Sequence, residues 1–160
     1  MMEYKRILCP TDFSDASLKA LPYAIELARL FEAELFFIYV VPVIASPATK
    51  HDVDSFSAAL REDAAQQMDG ILRGQIPNDI RRSTIITQGL AAEEILRAAD
   101  DYSIDLITIA THGFTGWNHL ICGSVAEKVV RKANVPVMTV SGKVTAEKRE
   151  EKFAEQFCSH

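Results

Sequence analysis

Cysteine is scarce and unpaired in this chain. Cys9, Cys122 and Cys158 form no CxxC, and an odd number builds no disulfide framework. Cys9 reads as a small buried hydrophobe within a strand, and Cys122, beside a glycine loop, is the one candidate for a reactive thiol. No apolar run approaches the roughly 20 residues that span a bilayer. The opening MMEYKRILCP carries no apolar signal region ahead of a small-residue cleavage site, so a soluble, cytoplasmic protein without a membrane partner is expected. A basic surplus is absent too. The formal net charge of -5 argues against non-specific nucleic-acid binding, which needs a basic face. The familiar catalytic signatures are missing as well. There is no GxxxxGKS/T, no GxGxxG after the first strand, no GxSxG and no HExxH, and His51, His112, His119 and His160 lack paired zinc-ligand spacing. Nothing in this inventory points to efficient catalysis.

What is present is a regular alternation. At 160 residues and 48% hydrophobic the chain suits one domain with a proper core, burying roughly two-thirds of its unfolded surface. Tyr4 to Pro10 is a short strand whose Ile7, Leu8 and Cys9 are continuously apolar, as in a strand covered on both faces. Thr11 to Ser14 turn the chain, and Ser14 caps a helix predicted to reach about Glu32 on Leu18, Leu21, Ile25, Ala28 and Leu30. Pro22 inside it should kink it or remove a hydrogen bond. Leu35 to Val41 is a second buried strand. Asp52 to Arg73 is a long helix carrying Phe56, Leu60, Ala64, Met68, Ile71 and Leu72. Arg82 to Gln88 is the third strand, Ala91 to Tyr102 the next helix, and Val135 to Val140 the fifth strand, with Pro136 near its start at an edge position that tolerates it. This βαβαβαβαβ order predicts an α/β, Rossmann-like, doubly wound five-stranded parallel sheet with helices on both faces. The domain is expected to occupy residues 1–142. A charged tail, 143–160, follows, in which Phe153 and Phe157 stand four apart; a short amphipathic helix and a disordered segment both remain open.

The stretch Asp105 to Val130, DLITIATHGFTGWNHLICGSVAEKVV, organises the rest. It runs from a buried strand through a loop with Gly113, Gly116 and Gly123 into a helix. Ser124 and Glu127 have capping-box spacing at that helix start. A strand, a bare-amide loop and a helix N-terminus make a pocket of N–H donors suited to phosphate. An ordinary strand-to-helix turn is the bland alternative. Ligands of such sheets bind outside the carboxyl ends of the strands where the strand order reverses. With strand one beside strand four, Thr11 and Asp12 would face the glycine loop. The Asp12 carboxylate suits ribose hydroxyls or an exocyclic amine, or else it holds an Asx-type turn. His112 stands at the mouth, as a base or simply as a polar strand-end residue. Trp117 either covers a base or packs against protein.

These residues carry a family resemblance. RILCPTDFSDASLKAL resembles the first strand, nucleotide-contacting turn and first helix of the universal stress proteins. DLITIATHGFTGWNHLICGSVAEKVVRKANVPVMTV is similar to their last two strands, phosphate loop and intervening helix. The resemblance covers residues 3 to 141, loosely through Ile44 to Gln88. It implies the strand order 3-2-1-4-5, a cytoplasmic homodimer joined through the fifth strand (Val135 to Val140), and ATP, with Mg or Mn on its phosphates as an option. ATP-binding members carry G-x2-G-x9-G-S/T. Gly113, Gly123 and Ser124 fit the later part, and Ala110 departs at the first glycine. The resemblance places Pro10, Thr11 and Asp12 on base and ribose and the Val40 backbone on the adenine edge. It places Gly113, Gly123, Ser124 and Val125 on the phosphates, with Ala110 and His112 beside them. Two readings follow: an ATP-binding, dimeric stress-response module with at most slow hydrolysis, or a dimerising interaction protein that takes no nucleotide. A hydrolase using His112 as base is a third. A proline at Met138 is expected to weaken the dimer by deleting a ladder donor.

Overall fold

The computed structural model describes residues 3–43, 50–111 and 123–141. Its strands are β1 (Arg6–Thr11), β2 (Glu34–Pro42), β3 (Arg82–Gly89), β4 (Leu106–Thr111) and β5 (Val137–Ser141). The helices between them are α1 (Asp15–Leu18), α2 (Leu21–Phe31), α3 (Lys50–Gln75), α4 (Ala91–Asp101) and α5 (Ser124–Lys132). Every pairing is parallel and the order is β3-β2-β1-β4-β5, as expected. Strand alternation sends Ile7, Cys9, Leu35 and Phe37 to one face, where α2 and α3 cover them with Leu21, Ala24, Ala28 and Met68. Leu8, Phe36, Ile38, Ile107 and Ile109 face the other way, onto Ile95, Ala98 and Ala99 of α4 and Ala126 and Val129 of α5. Two covered faces explain why β1 and β2 read as continuous apolar runs over Ile7–Cys9 and Leu35–Ile38. At the bottom of the sheet the Asp105 carboxylate accepts from the Lys5 and Arg6 amides, at 2.8 and 2.9 Å, and so fastens the start of β1 beside β4.

The helix expected from Ser14 to Glu32 is two helices. Pro22 has no N–H, and its ring would strike the carbonyl four residues back, that of Leu18. The chain therefore closes α1 with i→i−3 bonds (Lys19 to Ala16 and Ala20 to Ser17) and restarts with Pro22 in the first turn of α2, where a missing donor costs nothing. Leu30 is 73% exposed rather than inward, because it lies two residues past Ala28 and off the Leu21–Ala24–Ile25–Ala28 face. Phe56 is likewise exposed. Counting back from Met68 and Ala64 in helical steps reaches Ser57, which is buried and whose hydroxyl accepts from Gln88 Nε2 at 3.1 Å.

Cys9 is fully buried, and loss of solvent pushes its thiol up to about 12, so it packs as a neutral hydrophobe. Thr108, on β4, is also fully buried, and its hydroxyl has no hydrogen-bond partner among the described residues. An orphaned buried hydroxyl costs about 1–3 kcal/mol. Thr108→Val keeps the branched shape and removes the orphan, so it is expected to raise the midpoint of thermal unfolding by a few degrees. A lower midpoint would show that the hydroxyl is satisfied in solution.

Candidate functional site

β1 is the point from which the sheet grows in both directions, to β2 on one side and β4 on the other. The crevice this leaves at the strands' carboxyl ends is a cavity of about 430 Å³. Of the residues singled out from sequence, Pro10, Thr11, Asp12, Val40, Ala110, Gly123, Ser124 and Val125 all line it. His112 and Gly113 lie outside the described residues, as do Gly116, Trp117, Cys122 and the 143–160 tail. Ser17, Ile38, Ala91, Ile95, Ile109 and Ala126 line the cavity as well, and no sequence motif marked them. Ile38 and Ile109 were visible only as strand residues near the carboxyl ends. Ser17 had one signal, its place three residues after the Ser14 cap.

The walls have distinct chemistry. Ile38, Val40, Ile95 and Ile109 make an apolar slot between β2, β4 and α4. β1 pairs with β2 only as far as Thr11 opposite Tyr39, so beyond that pair the β1 side of β2 is open where Val40 meets the cavity. On the opposite rim lies the first turn of α5. The N-cap is Gly123, with no side-chain cap, and Ser124 is the first helical residue. The expected capping box is therefore not formed. With the helix entered at Gly123, Glu127 is one turn in and binds Arg131 Nη2 at 2.9 Å instead of reaching back. Helices leave their first amides without intrahelical partners. Gly123, Ser124, Val125 and Ala126 all line the cavity, so the N-terminal end of α5, with the positive end of its dipole, lies at this space.

The third wall is the β1–α1 turn. Ser14 Oγ caps α1 by accepting from the Ser17 amide at 3.1 Å. Asp12 Oδ1 accepts from the Ser14 amide at 3.0 Å and from the Ser14 hydroxyl, so the Asx-type turn weighed from sequence is made. The carboxylate remains exposed at the cavity rim. Phe13 sits in the left-handed region (φ 63°), with its ring stacked on Tyr39 at 4.5 Å. Ala110 has no positive φ. It is an extended β4 residue opposite Val140, mostly buried, with a place on the cavity wall. A glycine there would remove one methyl and supply no backbone freedom that the extended conformation needs. Among the described residues no group of three or more metal-ligating side chains forms, and no helix is long and apolar enough to cross a membrane.

Comparison with known proteins agrees with this geometry. The sequence model of the Universal stress protein family matches residues 3–141. Universal stress protein MJ0531 of Methanocaldococcus jannaschii is 36% identical over 140 residues, 86% of this chain and 82% of that protein. The solved structure of hypothetical protein MJ0577 superposes with a TM-score of 0.78 at 30% identity, covering 90% of this chain and 100% of that one. Universal stress protein UspA from Lactobacillus plantarum does so with a TM-score of 0.70 at 27% identity, over 88% and 99%. The chain belongs to the universal stress protein family.

Proposed function

We propose that this protein is a dimeric, ATP-binding stress-response module that acts through its nucleotide state and not as an efficient catalyst. The observation that carries the reading is the convergence, in one cavity at the switch point of the sheet, of an apolar slot, a carboxylate rim and a helix N-terminus without a side-chain cap among the described residues. The slot beside Val40 suits a flat base, and the open β1 side of β2 there has backbone groups for its edge. Asp12, oriented by Ser14, suits a ribose hydroxyl or an exocyclic amine. The amides of Gly123, Ser124 and Val125 suit phosphate oxygens, and no lysine or arginine lines the cavity among the described residues. His112 and Gly113 would complete that end, as the family resemblance implies. A bound ATP would supply polyphosphate charge, which Mg or Mn, if bound, would share on the phosphate side. Of the similar folds, one universal stress protein was solved in complex with cAMP and one from Archaeoglobus fulgidus with dAMP. At 21% and 22% identity they share the fold with this chain, and what supports a nucleotide here is its own cavity. Denaturing the freshly purified protein and weighing what it releases tests the reading. A released adenine nucleotide supports it. Release of none, together with no saturable ATP binding, contradicts it.

The second reading, an interaction module that takes no nucleotide, is favoured by one residue: Ala110 lines the cavity where ATP-binding relatives are expected to carry glycine. Both readings include a homodimer through β5, whose outer side is a sheet edge. The edge donors follow from the ladder. The Ile107 amide donates to the Pro136 carbonyl at 3.0 Å, so in a parallel pairing the Met138 amide also faces β4, and those of Val137 and Thr139 face outward. A proline at Met138 would therefore damage the sheet itself, and the position that tests the edge is Thr139. Thr139→Pro is expected to shift the protein from dimer to monomer in light scattering with its thermal midpoint nearly unchanged. A wild type that is monomeric at high concentration, or a Thr139→Pro variant that dimerises as well as wild type, would remove β5 from the interface.

A further inference from the structure

Ser17 is a buried serine on the short helix α1, and three hydrogen bonds converge on its hydroxyl. It donates to the Ser14 carbonyl at 2.9 Å. It also lies 3.1 Å from Thr11 Oγ1, and the Asp12 amide points at it from 3.3 Å. A hydroxyl has one proton to give. That of Ser17 goes to a carbonyl, which has none to return, so the proton between Thr11 and Ser17 belongs to Thr11. Thr11 thus donates inward and accepts from the Phe13 amide at 2.9 Å, which leaves its hydroxyl without a proton for a ligand. Ser14 in turn donates its proton to Asp12. The direction of each of these bonds is then set, and Ser17 is the group that ties Thr11 and Asp12 together.

We infer that Ser17 is a positioning residue for the nucleotide: it holds the Thr11–Asp12 turn in the one arrangement that aims the Asp12 carboxylate at the cavity. The inference rests on the nucleotide reading above. Phe13, between Asp12 and Ser14, is held at a φ of 63°, a conformation that costs a non-glycine residue roughly 1 kcal/mol or more and persists only where its surroundings enforce it. The Phe13–Tyr39 stack secures one side of that strained residue, and the bonds to Ser17 and Thr11 secure the other. Without the Ser17 hydroxyl, Thr11 and the Asp12 amide lose their common partner and the turn can relax. Ser17 also lines the cavity, so that relaxation occurs at the binding surface and not behind it.

The test is a double-mutant cycle read by ATP calorimetry on the full chain, well below the unfolding midpoint of each variant. Ser17→Ala is expected to weaken ATP binding about 5- to 20-fold. In an Asp12→Ala background the same substitution is expected to cost less than about twofold more, because the residue it positions is gone. Ser17→Thr, which restores a hydroxyl able to bond the carbonyl three residues back, is expected to recover most of the affinity. If Ser17→Ala does not fold, Ser17→Cys, which keeps the volume and weakens the bonds, takes its place in the same cycle. Unchanged affinity, losses that multiply across the cycle, or no recovery with threonine would each overturn the positioning role. A wild type that takes up no ATP would instead overturn the nucleotide reading, and this inference with it.

Discussion

Gly89→Ala is expected to destabilise the fold by about 2–4 kcal/mol, although the change adds one methyl group at the end of an edge strand. A Cβ built on Gly89 meets Glu94 Cγ and Oε1 at 2.7 Å and Cδ at 2.9 Å, closer than carbon atoms approach one another. Glu94 is a long side chain that could move aside if it lay in solvent, but it is only 9% exposed. Its Oε2 accepts from Thr87 Oγ1 at 2.7 Å and pairs with Arg97. Moving the carboxylate strips Thr87 of its partner, or leaves a buried charge with fewer bonds, and each such loss costs about 1–3 kcal/mol. At roughly 2–4 °C per kcal/mol for a chain of this length, the midpoint should fall by about 5–15 °C. The effect should shrink in a Glu94→Ala background, where the space is open. Chemical denaturation of the four proteins measures this coupling. An equal penalty in both backgrounds would mean that the Gly89 backbone, and not the Glu94 side chain, sets the requirement. The site feels this junction, because α4 begins here and Ala91 and Ile95 form part of the cavity wall.

The second large effect is on binding. Asp12→Ala is expected to weaken ATP affinity by about 1–3 kcal/mol, roughly 5- to 150-fold, the range for a hydrogen bond to a charged group. Asp12 also holds its own turn, through the bonds from the Ser14 amide and hydroxyl. Alanine removes both roles, so a loss of stability of about 1 kcal/mol should accompany the loss of affinity. Asp12→Asn separates them. Its side-chain oxygen can still accept from the Ser14 amide, which preserves the turn, while the carboxylate charge is gone. Native-like stability with weakened ATP binding in Asp12→Asn is the expected result. Affinity unchanged in Asp12→Ala, with the protein folded, would leave Asp12 as a turn residue alone.

Much of this was legible in the sequence for a physical reason. Strands covered on both faces are largely apolar, so Ile7–Cys9 and Leu35–Ile38 announced a parallel sheet before any geometry was known. The cavity residues at strand ends and at the start of α5 were legible through spacing and family resemblance together. What stayed hidden depends on rotation and direction. Phe56 and Ser57 are neighbours in the chain, and only the phase of α3 decides which one is buried. The Ser124–Glu127 spacing suits a capping box, yet the helix is entered at Gly123, and one residue of phase sends Glu127 to Arg131. Ser17 reads as one more polar residue in a serine-rich turn until its bonds are given directions. The break at Pro22 was foreseen as a kink or a lost hydrogen bond, and not as a second helix starting at Leu21.

The most direct test of the central claim is a calorimetric titration of nucleotide-stripped protein with ATP to millimolar concentration, run in parallel on Ala110→Gly. Ala110 is extended backbone, so glycine gains nothing conformationally there and only removes one methyl from a residue that lines the cavity. Neighbours can absorb a methyl by shifts of a few tenths of an ångström, at about 1 kcal/mol. The predicted result is saturable ATP binding by the wild type, tightened no more than about tenfold, ~1.4 kcal/mol, in Ala110→Gly. No heat and no competition in the wild type, with binding restored in Ala110→Gly, would contradict the account: the methyl would then close the cavity, and the protein would act as an interaction module without nucleotide.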